Sequence, residues 1–275
     1  SIAGKDVQAR TISKGQRGRV TGSAAALGGG ATLLAGVILF LLGDLTISTM
    51  GIVLLVGAST WGIATWVFSH VEEPVPEGEQ EGIDKSWWSD TWKLFTGDAQ
   101  FRNFVIVRSL LLVSALSTAF IVLLHDDLSG IYGFVLASGL ASLVGGRVSG
   151  IFSDRSSKNT MAAGAAISSV IILLIVASSH WAPDSVNAWV MPLGFFAVNL
   201  AHTAVRVARK TYVVDMAGGD KRTQYVGAAN TMMGIILLIV GGISSVIALA
   251  GPEAALIFLA LVGFVGVWRA GSLKE

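Results

Sequence analysis

Asn199, His202 and Arg206 recur at helical spacing in "FFAVNLAHTAVRVARK", which puts an amide, an imidazole and a guanidinium on one face. An imidazole titrates near physiological pH, so His202 beside Asn199 could carry a proton. The plainer reading, and the favoured one, is a His bonded to a neighbouring helix. Arg108 in "FVIVRSLLLVS" and Asn230 in "YVGAANTMMG" are further polar side chains within long apolar runs. Arg108 either lines a cavity or turns its head out to water along an apolar stem. Asn230 reads as a hydrogen bond between helices rather than as a ligand for a solute.

Other chemistry is poorly supplied. The chain has no Cys, which removes thiolate ligands, Cys nucleophiles and disulfides. No Ser sits in a G-x-S-x-G elbow, and no H-E-x-x-H helix is present. Asp126 and Asp127 follow His125, but no further His or carboxylate lies at local spacing. A solvated loop is expected there rather than a metal site. Neither an enzyme activity nor a cofactor is expected.

The elements that carry these residues follow from composition. Of 275 residues, 53% are hydrophobic and 13% charged, against about 25% charged in a soluble domain. Mean hydropathy is +0.69. The 33 glycines point to helices that approach closely in lipid, where small residues let backbones meet. With 19 basic and 18 acidic residues there is no case for a nucleic-acid partner. The chain reads as an integral membrane protein in contact with lipid.

A span needs about 20 predominantly apolar residues. Eight stretches qualify, at 20–43, 50–70, 103–125, 128–150, 160–180, 187–206, 225–250 and 252–269. None alternates with period two, so a β-barrel is disfavoured. An all-α bundle of eight transmembrane helices is expected, since each helix satisfies its own backbone in lipid. The 19 Lys and Arg residues fall before the first span, after the second, fourth, sixth and eighth, or in the adjoining span ends. The other connections carry acids such as Asp44, Asp184 and Glu253. The positive-inside rule then puts both termini in the cytoplasm, in a multi-pass protein of the cytoplasmic membrane.

One connection is long. Residues 71–102 open with the acidic "VEEPVPEGEQEGID", which reads as a flexible linker. In the following "KSWWSDTWKLFTGD", Trp88, Trp92 and Phe95 fall at i, i+4 and i+7, so a short helix there would present an aromatic face. Such a helix would lie in the cytoplasmic interface; equally, these rings could simply belong to the aromatic belt. The linker divides the chain into 1–70, with two spans, and 103–275, with six.

The stretch "GGRVSGIFSDRSSKN" reads as a helix end, a tight turn and a new helix start. Gly146 and Gly150 form a GxxxG pair suited to close backbone approach. Asp154 can cap a helix or face the positive end of a neighbouring one. Arg155 and Lys158 can reach carboxylates, helix C-termini or anionic headgroups. The bland alternative is an ordinary basic loop that obeys the positive-inside rule.

On Gly150, Asp154, Arg155 and Lys158 the chain resembles the major facilitator superfamily of secondary transporters, whose loop between the second and third helices of each half reads G-x-x-x-D-[RK]-x-G-[RK]-[RK]. Ser157 stands where the family usually has Gly, and Asn159 where a base is common. "ISKGQRGRVTG" (12–22) is similar to the basic Arg-Gly stretch before the family's fifth helix.

The resemblance implies that residues 71–102 join two halves, and that 103–275 is a complete six-helix second half of two inverted repeats. Four first-half helices are then expected to be missing, and an opening Ser rather than Met agrees with a fragment. The resemblance also implies transport of a small-molecule substrate by alternating access, with protons as the coupling ion. It places Asn199, His202 and Arg206 along the central cavity. It implies further that Asp154 meets the start of the first span near Val20 to Gly22, with Arg155 holding the carboxylate in place or pairing with an acid nearby. A membrane-embedded enzyme and a transport-inactive scaffold are the competing readings.

Overall fold

The computed structural model describes residues 12–13, 15–42, 47–70, 87–124, 131–216 and 222–273. The acidic stretch at 72–84 and the residues His125, Asp126 and Asp127 lie outside these residues. Among the described residues there are helices and no strand. They are α1 (Arg17–Leu42), α2 (Ile47–Phe68), α3 (Trp87–Gly97), α4 (Ala99–Val113), α5 (Ser117–Leu123), α6 (Ile131–Arg155), α7 (Ser157–Trp181), α8 (Asp184–Met216), α9 (Arg222–Ile247) and α10 (Pro252–Ala270). A single 3-10 turn at Ser114–Leu116 joins α4 to α5, so the two form one span, Ala99–Leu123.

Among the described residues, seven helices are long and apolar enough to cross a bilayer. The expected span at 50–70 falls in α2, whose apolar stretch Leu54–Val67 is shorter than the others. The described side chains of α2 are exposed, among them Leu54, Leu55, Trp61 and Trp66. In water such a helix would be unstable, whereas in lipid its surface is matched by the solvent.

Two ends differ from the sequence reading. Helix α6 does not stop near Gly150 but runs through Arg155, and α7 begins two residues later at Ser157. The expected turn shrinks to Ser156, which is extended (φ −159°, ψ 103°) and accepts the Asn159 N–H with its hydroxyl. That N-cap restarts the helix at once. Helix α8 likewise continues past 206 to Met216, because nothing breaks it before Gly218. At 33 residues it is about 50 Å long, more than a bilayer core needs. Arg209 and Lys210 are therefore helical rather than loop residues.

Packing is arranged around α6 and α8. Helix α6 lies between α1 and α8, α8 also packs on α7, and α10 packs on α4 and α7. Two apolar clusters fill the interior. One gathers Phe101, Phe104, Leu111, Met161, Val205 and Met232; the other gathers Ile121, Phe134, Ile172, Phe195, Val198 and Leu256. Between them along the helices come buried polar residues: Ser114, Ser168, Ser169 and His202. Oil-like side chains gain little by leaving lipid, so this interior depends on close packing and on polar groups finding partners.

The short helix α3 forms as the aromatic spacing predicts. Trp88 and Trp92 are exposed, while Phe95 packs against the first cluster. Asp98 then starts α4, its Oδ1 accepting the N–H groups of Gln100 and Phe101 at 2.9 and 3.0 Å. Its Oδ2 accepts the Tyr225 hydroxyl at 3.3 Å, which ties α4 to α9.

Candidate functional site

Two constellations stand out. The first is the junction of α1, α6 and α7. Helices α1 and α6 run antiparallel, because Gly18 meets Gly150, Gly22 meets Gly146, and Gly29 meets Gly139. The approach leaves no room for a side chain. A Cβ on Gly150 would lie 2.5 Å from the Gly18 carbonyl oxygen, and one on Gly146 would lie 2.6 Å from that of Gly22. Small residues on both helices let the backbones touch, as the Gly146–Gly150 spacing predicts for one side of the pair.

At the end of this seam Asp154 reaches α1. Gly18 N donates to Asp154 Oδ1 at 2.7 Å, and Arg19 N donates to Oδ2 at 2.9 Å. These are among the N–H groups a helix start cannot satisfy itself, and they carry the positive end of its dipole. The contact falls on Gly18 and Arg19, just before Val20–Gly22, since α1 begins at Arg17. Arg155 does not hold the carboxylate; its guanidinium lies 6.0 Å from the Phe152 ring centroid. Arg19 stands nearer, with Nε 3.8 Å from Asp154 Oδ2. The Arg19 side chain is 68% exposed, so this ion pair adds little. Lys158 turns the other way, and its Nζ donates to the Leu273 carbonyl at 2.7 Å, beyond the C-terminal end of α10. The motif thus joins an early helix start and a late helix end to the α6–α7 junction.

The second constellation lies inside the bundle. His202 is 2% exposed and its Nε2 is 2.9 Å from Ser168 Oγ on α7. Its Nδ1 makes no hydrogen bond. Asn199 donates back to the Phe195 carbonyl at 2.9 Å and does not bond His202, and Arg206 is exposed. The three share a helix but are not brought together in one network.

Arg108 and Asn230 are brought together. Arg108 is 1% exposed, and its Nη2 donates to Asn230 Oδ1 at 2.9 Å. Its Nε and Nη1 have no acceptor. It has not turned out to water, and Asn230 does bond across helices, from α9 to α4. Arg209 of α8 joins from the side, its Nη1 3.2 Å from Met233 Sδ. Asn230 and Met233 are one turn apart on α9, so two guanidinium groups converge on one stretch of that helix.

Sequence reasoning missed Ser168 and Arg209. Arg209 carries a signal, since it follows Arg206 at i+3, but beyond the expected end of the sixth span it reads as one of a run of basic residues outside the membrane. Ser168 carried none, as one of several Ser residues on α7. No group of three or more His, Asp or Glu residues that could hold a metal occurs among the described residues.

The helices define a class of molecule: the described residues are all-helical with seven membrane-capable helices, as in a polytopic membrane protein. No family model matches the chain, and no curated protein matches it.

Proposed function

We propose that the chain belongs to a secondary transporter of the major facilitator type, moving a small solute by alternating access. The observation that carries this reading is the Asp154 carboxylate on the Gly18 and Arg19 amides, a contact between distant segments at one end of a glycine seam. A carboxylate at a helix N-terminus contributes about 0.3–1 kcal/mol when exposed and up to about 2 when partly buried. Two conformations that differ by a few kcal/mol are biased by a contact of that size. Breaking it would release α1 from α6 without disturbing either helix.

In this reading α2 is an eighth span, both termini are cytoplasmic, and the motif junction faces the cytoplasm of a cell whose inner membrane holds the protein. Helices α1 and α2 close a first half whose other helices would cover their exposed faces. The helices from α4 to α10 form the second half. Protons are the coupling ion this reading favours. Solute flux into vesicles, measured with and without an imposed proton gradient, tests it. Uptake that responds to the gradient in wild type and is altered in Asp154→Asn is expected. Absence of flux for every solute class tried, in the intact protein, would sink it.

A further inference from the structure

Charge inside a membrane bundle has to be answered. A guanidinium within the bilayer core is costly, and buried charges are accordingly paired or neutralised. Among the described residues, no carboxylate pairs with Arg108 or Arg209. The carboxylates whose side chains the structure describes stand elsewhere: Asp90 near Lys93, Asp98 at the start of α4, Asp154 on α1, and Asp184 and Glu253 in the first turns of α8 and α10. The partners that Arg108 and Arg209 do have are neutral. Asn230 supplies one amide oxygen, and Met233 supplies a thioether, a weak acceptor. The Phe104 ring centroid lies 5.7 Å from Arg108 Cζ, which offers only the partial compensation of a π face. Nε and Nη1 of Arg108 and Nε of Arg209 remain buried without an acceptor. The charge of Arg209 acts on Arg108, and that of Arg206 acts on Arg209.

We infer that Arg108 and Arg209 form a binding site for a small oxyanion, so that the solute of the transport reading carries a carboxylate or a phosphate. Calling the anion a solute rests on that reading; the site itself rests on the two guanidinium groups. An oxyanion supplies the acceptors these donors lack and neutralises the repulsion between them. Guanidinium N–H groups match the geometry of carboxylate and phosphate oxygens, which an ammonium would not. Asn230 and Phe104 then act as holders: one bonds the far nitrogen of Arg108 and the other fixes its plane. Met233 does the same for Arg209.

The test is thermal unfolding of the purified protein in an uncharged detergent, at matched ionic strength set with chloride. Inorganic phosphate, succinate and short-chain phosphatidylglycerol are titrated separately. Phosphate or succinate should raise the unfolding temperature saturably, as ligand linkage requires. Arg108→Gln and Arg209→Gln should each weaken the apparent Kd by about thirtyfold or more, the usual cost of leaving a buried charge partner unmatched. Arg108→Lys should fall between, because the charge stays but the fork geometry is lost. Without added anion, R108Q should unfold no earlier than wild type, since it removes an uncompensated charge. If R108Q does not fold, R209Q and R108K make the same comparison. Stabilisation by phosphatidylglycerol alone, or by any anion equally in the variants, would overturn the site. Binding without flux removes the transport reading and leaves the site standing. Gradient-driven flux of an uncharged solute with no anion binding does the opposite.

Discussion

Asp154 Oδ1 accepts the backbone N–H of Gly18 at 2.7 Å, across 136 positions of sequence. With Oδ2 on Arg19 N, one carboxylate covers two amides of a helix start. Its side chain is 8% exposed, which puts the contact toward the upper end of the helix-dipole range, up to about 2 kcal/mol. Asp154→Asn keeps one acceptor oxygen but loses the charge. The chain has no Cys, so engineered pairs are the sole labelling sites. Spin labels at Val20 on α1 and Val148 on α6, both exposed, should report a second, longer distance population in the variant. An unchanged distribution would show that the contact biases nothing.

The glycine seam below it predicts a contrast between two alanines. In Gly150→Ala the new Cβ meets the Gly18 carbonyl at 2.5 Å, and both atoms belong to rigid backbone. Overpacking of this kind costs about 1–3 kcal/mol. Gly234 on α9 has nothing within 4 Å, so Gly234→Ala should be neutral or stabilising, by up to about 1 kcal/mol of helix propensity. The unfolding temperature should fall for the first and hold or rise for the second. Equal behaviour would mean that α1 and α6 do not touch as described.

His202 and Ser168 should behave as a coupled pair. Hydrogen bonds between membrane helices average about 0.6 kcal/mol and reach about 1.7. A double-mutant cycle on His202→Ala and Ser168→Ala should return a coupling in that range. Additive effects would place the imidazole elsewhere. On the transport reading, uptake by His202→Ala compared with wild type across pH separates a structural His from a coupling one. A changed pH profile marks coupling, and an unchanged profile with lower stability marks structure.

Lys158 should govern the C-terminal end of the bundle. Its Nζ bond to the Leu273 carbonyl is charge-assisted, and such bonds contribute about 1.5–3 kcal/mol. Lys158→Met keeps much of the apolar stem and removes the donor. Hydrogen exchange at residues 270–273 should quicken in the variant while α7 and α8 stay protected. Uniform loss of protection would instead indicate global destabilisation.

Much of the architecture was legible because a helix in lipid satisfies its own backbone. Run length and apolarity therefore locate the long helices one at a time, without knowledge of their neighbours. The GxxxG pair of Gly146 and Gly150 was legible as half of a seam, and Asp154 as a residue suited to a helix start, because spacing and residue type are local. The other half of each pairing was not local. That Gly18 and Gly22 complete the seam, and that Arg19 rather than Arg155 stands beside the carboxylate, depends on where α1 ends up against α6. The one-residue junction at Ser156 was hidden too, since "SDRSSKN" suits a turn as well as a cap. Arg209 shows the limit most clearly. Its run of basic residues resembles a solvated loop, and only the continuation of α8 to Met216 carries it to Met233, one turn from the Asn230 that Arg108 holds. Sequence by itself determined which segments are helices and that they belong in lipid, because both follow from nearest neighbours along the chain. Tertiary structure alone decided which buried polar groups meet, because in a medium that drives no apolar association the partners are selected by backbone fit between helices far apart in sequence.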